Sequence, residues 1–394
     1  MNILFQPGGD WISWIVFMLF WLVFMFFYPR IMLSQIMWKL EKTAEDIERM
    51  SDNSKRFIIN TISKKPDKRL KESVTRFFEF FLIEPVSLDP FGIIKKFDHL
   101  IKEEKDRFRY FVNQIAPHMN SEQKACLEMG LAGGINLHQI AKIVRHYVEL
   151  VRKTKNIQIA IVLQMQLPLI ERIAKAVFKG TKSLTRGDPI GDGLGPLVVA
   201  SLMKNNKFKE IEEDIIMSET KINGRTVFLL KAKGPGGRIG YPGKAVAKLV
   251  KKHKISRIIT VDAAAKLEGE KTGSVAEGVG VAMGGPGVER SYIETIATEK
   301  NIPLDSIIVK MSSEEAITPM RKSIIDAVPE VIKTIERCID RTKKGDKVIV
   351  VGVGNTSGIG NNAKEVKSVE EWVKNYEKKL KMENKIKKES SFFL

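Results

Sequence analysis

The most apolar stretch of the chain lies near its start, where Trp11–Tyr28 reads WISWIVFMLFWLVFMFFY, uncharged and with Ser13 as its one weakly polar residue. A helix rises about 1.5 Å per residue, so this run with its flanks, residues 11–33, can cross a hydrocarbon layer of about 30 Å. A core helix would carry a polar face, and this one has none. A cleaved signal would carry a basic start and small residues at the cut, and neither is present. Asp10 precedes the run, whereas Arg30, Lys39, Lys42 and Arg49 follow it. That asymmetry predicts a single-pass protein of the cell membrane, with its N-terminus outside and everything past Arg30 cytoplasmic.

From Ile31 to about Lys179, apolar residues recur at three- and four-residue spacing, as in Phe77–Phe81, Ile93–Ile101 and Ile140–Val151. This predicts a helical cytoplasmic domain over residues 34–180, punctuated at Pro66, Pro85, Pro90, Pro117 and Gly133–Gly134. The charged connector Lys39–Lys68 is expected to project as a stalk. Ile157–Ile170 (IQIAIVLQMQLPLI) carries no charge. It is short for a span, and Gln158, Gln164 and Gln166 would be costly in lipid, so a buried helix is expected over a membrane-dipping one.

Near Thr181 the pattern changes to Gly-rich turns and short β-branched runs. Val227–Leu230, Ile255–Val261, Val279–Met283, Ile307–Val309 and Val348–Val353 read as strands. Lys244–Lys252, Tyr292–Lys300 and Ser323–Lys343 between them read as helices. Alternation of this kind predicts an α/β domain with a mostly parallel sheet over residues 181–362. Residues 363–394, including KNYEKKLKMENKIKK, read as a charged, solvated helix or tail.

The net charge of +18 bears on partners rather than on fold. Anionic headgroups are its natural partner beside the bilayer that takes residues 11–33. Nucleic acid or a ribosome comes second, because no interleaved aromatic and basic motif accompanies the charge. Cys126 and Cys338 lie far apart in helical patterns and read as buried free thiols of a reducing compartment.

Two stretches of the α/β region suggest chemistry. GDPIGDGLGP, Gly187–Pro196, opens the helical pattern Leu197–Met203, and in Ile258–Glu270 (IITVDAAAKLEGE) Asp262 closes an apolar strand. Ligands of open α/β sheets bind beyond the carboxyl ends of the strands, which is where Asp262 falls. Asp192 stands at a helix mouth, where the dipole favours its ionised form. Two carboxyls brought together can share one proton, so that one stays protonated while its partner activates water. From the residues alone, Asp192 reads first as a helix cap, because Asp at a helix start usually is one. The GxGxxxG sets at Gly352, Gly354 and Gly358 and at Gly278, Gly280 and Gly284 lack the context of a dinucleotide fingerprint and read as tight turns. No Walker lysine is present, and His99, His118, His138, His146 and His253 form no HExxH, so no metal or cofactor is expected. An oxygen-bound divalent cation at Asp188, Asp192, Glu268 and Glu270 is the remaining alternative.

Gly191-Asp192-Gly193-Leu194-Gly195-Pro196 resembles the Pro-Asp-Ala-Leu-Gly-Pro motif of the spore germination protease family. Val261-Asp262-Ala263-Ala264-Ala265-Lys266 is similar to that family's Ile-Asp-Ala-Leu-Ala-Ala motif. The resemblance implies a phosphorylase/hydrolase-like α/β fold, related to hydrogenase maturation proteases, with Asp192 and Asp262 as catalytic aspartates. Gly187, Asp188, Gly191, Gly193, Gly195, Pro196, Gly354 and Asn355 would form the supporting loops. The family's Gly-Leu-Gly-Asn strand precedes its first motif, whereas the similar stretch VIVVGVGN here is Val348–Asn355, which implies a circular permutation with Asn355 beside Asp192. The chain as a whole, through FFEFFLIEPVSLDPFGIIKK (Phe77–Lys96) and the GDPIGDGLGP loop, resembles an uncharacterised archaeal family of single-span membrane proteins.

Three functions follow as expectations. The first is a membrane-anchored, aspartic-type hydrolase acting on a protein or peptide. The second is a non-enzymatic scaffold recruiting a ribosome, RNA or membrane protein through its basic surface. The third is a small-molecule or metal-assisted hydrolase in which Lys266, Arg290 and Lys310 face an anion.

Overall fold

A computed structural model describes residues 11–86, 92–204 and 207–390. In chain order come α1 (Trp11–Ile62), α2 (Lys68–Phe77), α3 (Ile93–Ile115), α4 (Ser121–Thr154), α5 (Ile157–Arg186) and α6 (Leu194–Leu202). Then follow β1 (Lys209–Glu212), β2 (Ile215–Ile222), β3 (Arg225–Ala232), α7 (Pro242–Lys252), β4 (Arg257–Ala265), β5 (Val275–Val279) and α8 (Val288–Lys300). The series ends with β6 (Leu304–Met311), α9 (Ser313–Ile317), α10 (Lys322–Ile325), α11 (Val328–Asp340), β7 (Lys347–Gly352) and α12 (Ala363–Ser390). Asp10, Pro90 and the 87–91 part of the Phe77–Lys96 stretch lie outside the described residues. The chain forms two units, one of Met1–Asp52 with Leu137–Ala174 and one of Asn53–Asn136 with Lys175–Leu394.

The first unit is helical. Every side chain of α1 from Ser13 to Tyr28 is exposed, and the helix is long and apolar enough to cross a membrane. Further along, Leu40, Ala44 and Ile47 are fully buried. Their three- and four-residue spacing forms an apolar stripe among the charges, so the segment expected to project as a stalk is instead packed. In α4, His138 Nδ1 meets Ser51 Oγ at 3.2 Å, Arg145 Nε donates to Glu48 at 2.6 Å, and Arg152 pairs with Glu41. Rising numbers on α4 meet falling numbers on α1, so the two helices are antiparallel. In α5, Ala160, Leu163 and Leu167 are buried, but Val162, Met165 and Leu169 are exposed. The expectation of a buried Ile157–Ile170 is thus corrected: both faces are apolar and only one is covered.

The second unit joins a helical part to the sheet. Ile58 and Ile62 of α1, Val74 of α2, Phe78, Phe108 and Val112 of α3, and Leu127 and Leu131 of α4 share one apolar core. Gly133 and Gly134 lie inside α4 rather than breaking it. A Cβ on Gly134 would sit 2.7 Å from the Phe78 ring, and one on Gly133 2.7 Å from Thr181 Oγ1. These glycines serve close packing.

The sheet has seven strands in the order β1-β2-β3-β7-β4-β6-β5. β3, β7, β4 and β6 are mutually parallel, while β1, β2 and β5 pair antiparallel at the two edges. The sheet is therefore mixed, not mostly parallel as expected. The hairpin of β2 and β3 turns on Asn223 and Gly224, both at positive φ, the conformation a two-residue type I′ turn requires. β5 ends where a strand at Val279–Met283 was expected to begin. Ser323–Lys343 divides into α10 and α11, with Pro329 in the first turn of α11, where its missing N–H costs nothing.

Alternation along the central strands supplies two cores. Val227, Leu229, Val348, Val350, Ile259 and Val261 face α6, α11 and α12, while Phe228, Leu230, Ile349, Val351 and Ile258 face α7 and α8. Both faces are covered, which is why these strands read as continuous apolar runs. Val366, Val369 and Val373 of α12 belong to the first core, so the start of the expected solvated tail is a packed helix.

Candidate active site at the carboxyl ends of the parallel strands

The loop after α5 is shaped by glycines and backbone hydrogen bonds. Gly187 has φ +76, Gly191 N–H donates to Thr318 O at 3.1 Å, and Gly191–Gly193 form a single 3-10 turn that carries Asp192. α6 begins immediately afterwards, so Asp192 precedes its first turn. A Cβ on Gly195 would lie 2.7 Å from Val353 N and would run into the carbonyls of Val353 and Val261. With no side chain there, the start of α6 presses onto the carboxyl ends of β7 and β4. Pro196, buried in this first turn, needs no N–H partner.

Asp262 lies in β4 and is 6% exposed. Its Oδ1 accepts from the Ala263 N–H at 2.7 Å, and the Gly284 N–H also donates to it. Asn355 N–H donates to Asp192 Oδ2 at 2.9 Å. Gly354, at φ +128, passes so close that a Cβ there would strike the Asp192 carbonyl. Asn355 is itself held by the Ser357 N–H, which donates to its Oδ1 at 2.8 Å. Asp192, Asp262, Gly354 and Asn355 thus come together across the end of the sheet, although Asn355 lies 163 positions after Asp192.

Burial dominates the electrostatics. It raises the affinity of Asp192 for its proton, against which the Asn355 N–H acts. Burial first, and the Asp192 charge second, push Asp262 up to about 8. Like charges in a poorly hydrated site resist joint ionisation, so at neutral pH the pair retains at least one proton.

Both aspartates line a cavity of about 990 Å³. Its far walls come from α3, α4, the Gly237–Pro242 segment and the Gly284–Glu289 loop. Lys105 pairs with Asp214 at 2.7 Å and Glu213 at 3.2 Å, Arg109 with Glu213 at 2.9 Å, and Arg238 with Glu122 at 2.5 Å. Glu289 Oε2 accepts the Gly243 N–H at 2.6 Å, at the start of α7, and burial pushes its carboxyl up to about 7. Tyr241 is pushed up to about 12, first by burial and then by the carboxylates around it. Of these wall residues only Gly284, in its glycine set, was singled out from the sequence. The signals were slight: a Tyr-Pro at the start of α7, and a Gly-Gly-Pro-Gly before Glu289.

Other candidates lie away from the pair. Glu270 is held by Lys310 and by the Leu267 N–H, Glu268 is exposed, and Asp188 is half-buried; none of the three lines the cavity. Lys266 meets Thr272 and Glu315 and Arg290 pairs with Glu294, so Lys266, Arg290 and Lys310 form no shared anion site in this cavity. Among the described residues, no group of three or more His, Cys, Asp or Glu side chains gathers to hold a metal ion. Cys126 and Cys338 are buried and free.

Among curated proteins and among solved structures, no match to the chain was found. Two family models do match. Residues 14–187 match the N-terminal domain of a protein of unknown function, DUF1512, and residues 190–360 match the DUF1512 C-terminal domain of unknown function. The two meet at the loop that carries Asp192, and together they place this chain in the DUF1512 family.

Proposed function

We propose that this chain is a membrane-anchored hydrolase of the aspartic peptidase type, with Asp192 and Asp262 as its acid–base pair. One observation carries the reading: two carboxyls from distant parts of the chain face one cavity, each biased towards its protonated form by burial. In the proposed step, the ionised member takes a proton from water, whose oxygen attacks the peptide carbonyl carbon. The protonated member gives its proton to the carbonyl oxygen. Collapse of the tetrahedral species breaks the C–N bond: the leaving amine receives the proton first taken from water, and one hydroxyl proton returns to the second aspartate as the product acid forms. The backbone donors of Asn355, Ala263 and Gly284 hold the two carboxyls in place and moderate their proton affinity.

The contact between Asn355 and Asp192 supports the permuted relation to the spore germination protease and phosphorylase/hydrolase-like fold, with the four parallel strands as its shared centre. The exposed apolar start of α1 supports a membrane span, and the basic residues that follow it, Arg30, Lys39, Lys42 and Arg49, support an N-terminus outside.

The test is turnover of a peptide library by the full chain in lipid nanodiscs, read by mass spectrometry. Asp192→Asn and Asp262→Asn should each lower turnover by about 10²–10⁴. Turnover that survives both single substitutions removes the mechanism.

A further inference from the structure

The apolar face that α5 leaves uncovered has a regular spacing. Gln158, Val162, Met165 and Leu169 follow one another at intervals of four, three and four residues, with Ile173 one turn further on. All are exposed, Met165 to 73% and Val162 to 60%. Beside them Ile143 and Tyr147 of α4, one turn apart, are exposed as well. A groove of about 450 Å³ runs between the two helices, lined by Ile143, Tyr147, Ile159, Val162, Gln166 and Ile170. A continuous apolar patch of this extent on a surface that meets water marks an interaction site. A four-three-four spacing is the seam of a coiled coil, and it fits a second helix that carries the same seam.

Direction identifies the partner. α4 is antiparallel to α1, and α5 turns back from α4 after Lys155 and Asn156, so α5 runs parallel to α1. The turn between α4 and α5 lies near the membrane end of this unit, because Arg152 pairs with Glu41, shortly after the apolar part of α1. From there a helix rises about 1.5 Å per residue, which carries Leu169 and Ile173 roughly 18–24 Å beyond Ile157 and out of reach of acyl chains. The bilayer can therefore cover no more than the start of the stripe. Spanning helices hold every copy of the chain upright in the same sense, so two copies are related by a twofold axis along the membrane normal. That axis is parallel to α5 and sets the stripe of one copy against the same stripe of the next, in register. Gln158 suits this arrangement: a side-chain amide carries both donor and acceptor, so Gln158 can pair with its own copy across the axis, as polar seam residues that fix register do.

We infer that this face is a homodimer interface, in which Gln158, Val162, Met165, Leu169 and Ile173 pack on the same residues of a second copy and the two α4–α5 hairpins form a four-helix bundle. Its axis rests on the reading of α1 as a span, and nothing in it depends on Asp192 and Asp262.

Oxidative cross-linking of single cysteines in the full chain, in native membranes, tests the pairing, since Cys126 and Cys338 are buried. A disulfide needs Cα atoms within about 7 Å of each other. Val162→Cys, Met165→Cys and Leu169→Cys should therefore each give a covalent dimer, while Lys42→Cys, on an exposed part of α1, should not. Met165→Glu changes a side chain that a single copy leaves exposed. It should lower self-association at least about tenfold, read by sedimentation in density-matched detergent, with the far-UV circular dichroism unchanged. Linkage at only one of the three seam positions means an antiparallel pair and overturns the inference. So does a wild type that is monomeric in both assays, or a dimer that Met165→Glu leaves intact. Quenching of Met165→Trp fluorescence by brominated acyl chains would put the face in the bilayer and overturn it as well. Linkage at all three positions in a chain that carbonate releases from the membrane removes the span and leaves the interface.

Discussion

The proton held at Asp262 makes a thermodynamic prediction that requires no substrate. In the unfolded chain this carboxyl releases its proton near its ordinary value of 3.8; in the folded chain it does so at about 8. Between those values the folded state binds more protons than the unfolded one, so the Asp262 contribution to stability is fully present below pH 4 and is lost as pH rises through 8. Each power of ten in proton affinity is worth about 1.4 kcal/mol, which sets a ceiling of roughly 6 kcal/mol at high pH. Water entering a cavity of this size screens the charge, and roughly 2–4 kcal/mol is the expected loss. Asp262→Asn keeps the shape and cannot ionise. Relative to the wild type it should be near neutral at pH 4 and stabilising by roughly 2–4 kcal/mol at pH 9, with most of the change between pH 5 and 8. Asp192→Asn should change in the same sense, because removing its charge also relieves Asp262. Glu289, raised to about 7, and Lys231, fully buried and lowered to about 7, titrate in the same range, so the informative quantity is the variant minus the wild type at each pH. Urea unfolding of the full chain in detergent, followed by far-UV circular dichroism at five pH values, measures it. A difference that stays flat from pH 4 to 9 would mean that Asp262 ionises as freely as a surface aspartate, and the shared-proton mechanism would lose its physical basis.

Two further outcomes follow from the geometry. Gly195→Ala gains about 1 kcal/mol of helix propensity but forces a methyl group against the Val353 and Val261 carbonyls, which costs about 1–3 kcal/mol or more; a net loss of stability together with loss of turnover is expected, and a stabilised, fully active variant would contradict the packing described. If α1 spans the bilayer, the chain should stay in the membrane pellet through alkaline carbonate extraction, and a cysteine placed at residue 2 should react with an impermeant maleimide in intact cells. Release by carbonate, or labelling only after permeabilisation, counts against the span or its orientation.

What the sequence disclosed of this fold was whatever local pattern determines. Of the five expected strands, those on β3, β4, β6 and β7 fall where apolar residues run on without a break, the pattern of strands covered on both faces, whereas the fifth meets the exposed edge strand β5 only at Val279. β1 and β2 were overlooked because KEIE and IIMSETKI mix charges into an edge hairpin, although Asn223-Gly224 was a legible turn signal. The buried stripe Leu40, Ala44, Ile47 was hidden by the Lys and Glu residues around it, and the one-sided burial of α5 could not be read where both faces are apolar.

The site divides in the same way. Asp192 and Asp262 stood out because glycine-rich loops at helix starts and acids at strand ends are local features. The opposing wall consists of ordinary residues: Glu104 and Glu128 sit among the many charges of α3 and α4, and no spacing rule links them to Tyr241 or Glu289. They become a site only when the helical part of the second unit closes over the strand ends, where lost hydration raises the proton affinity of Glu104, Glu128 and Glu289 alike. In water these carboxylates would be spectators. The same loss of hydration is what keeps a proton on the aspartate pair.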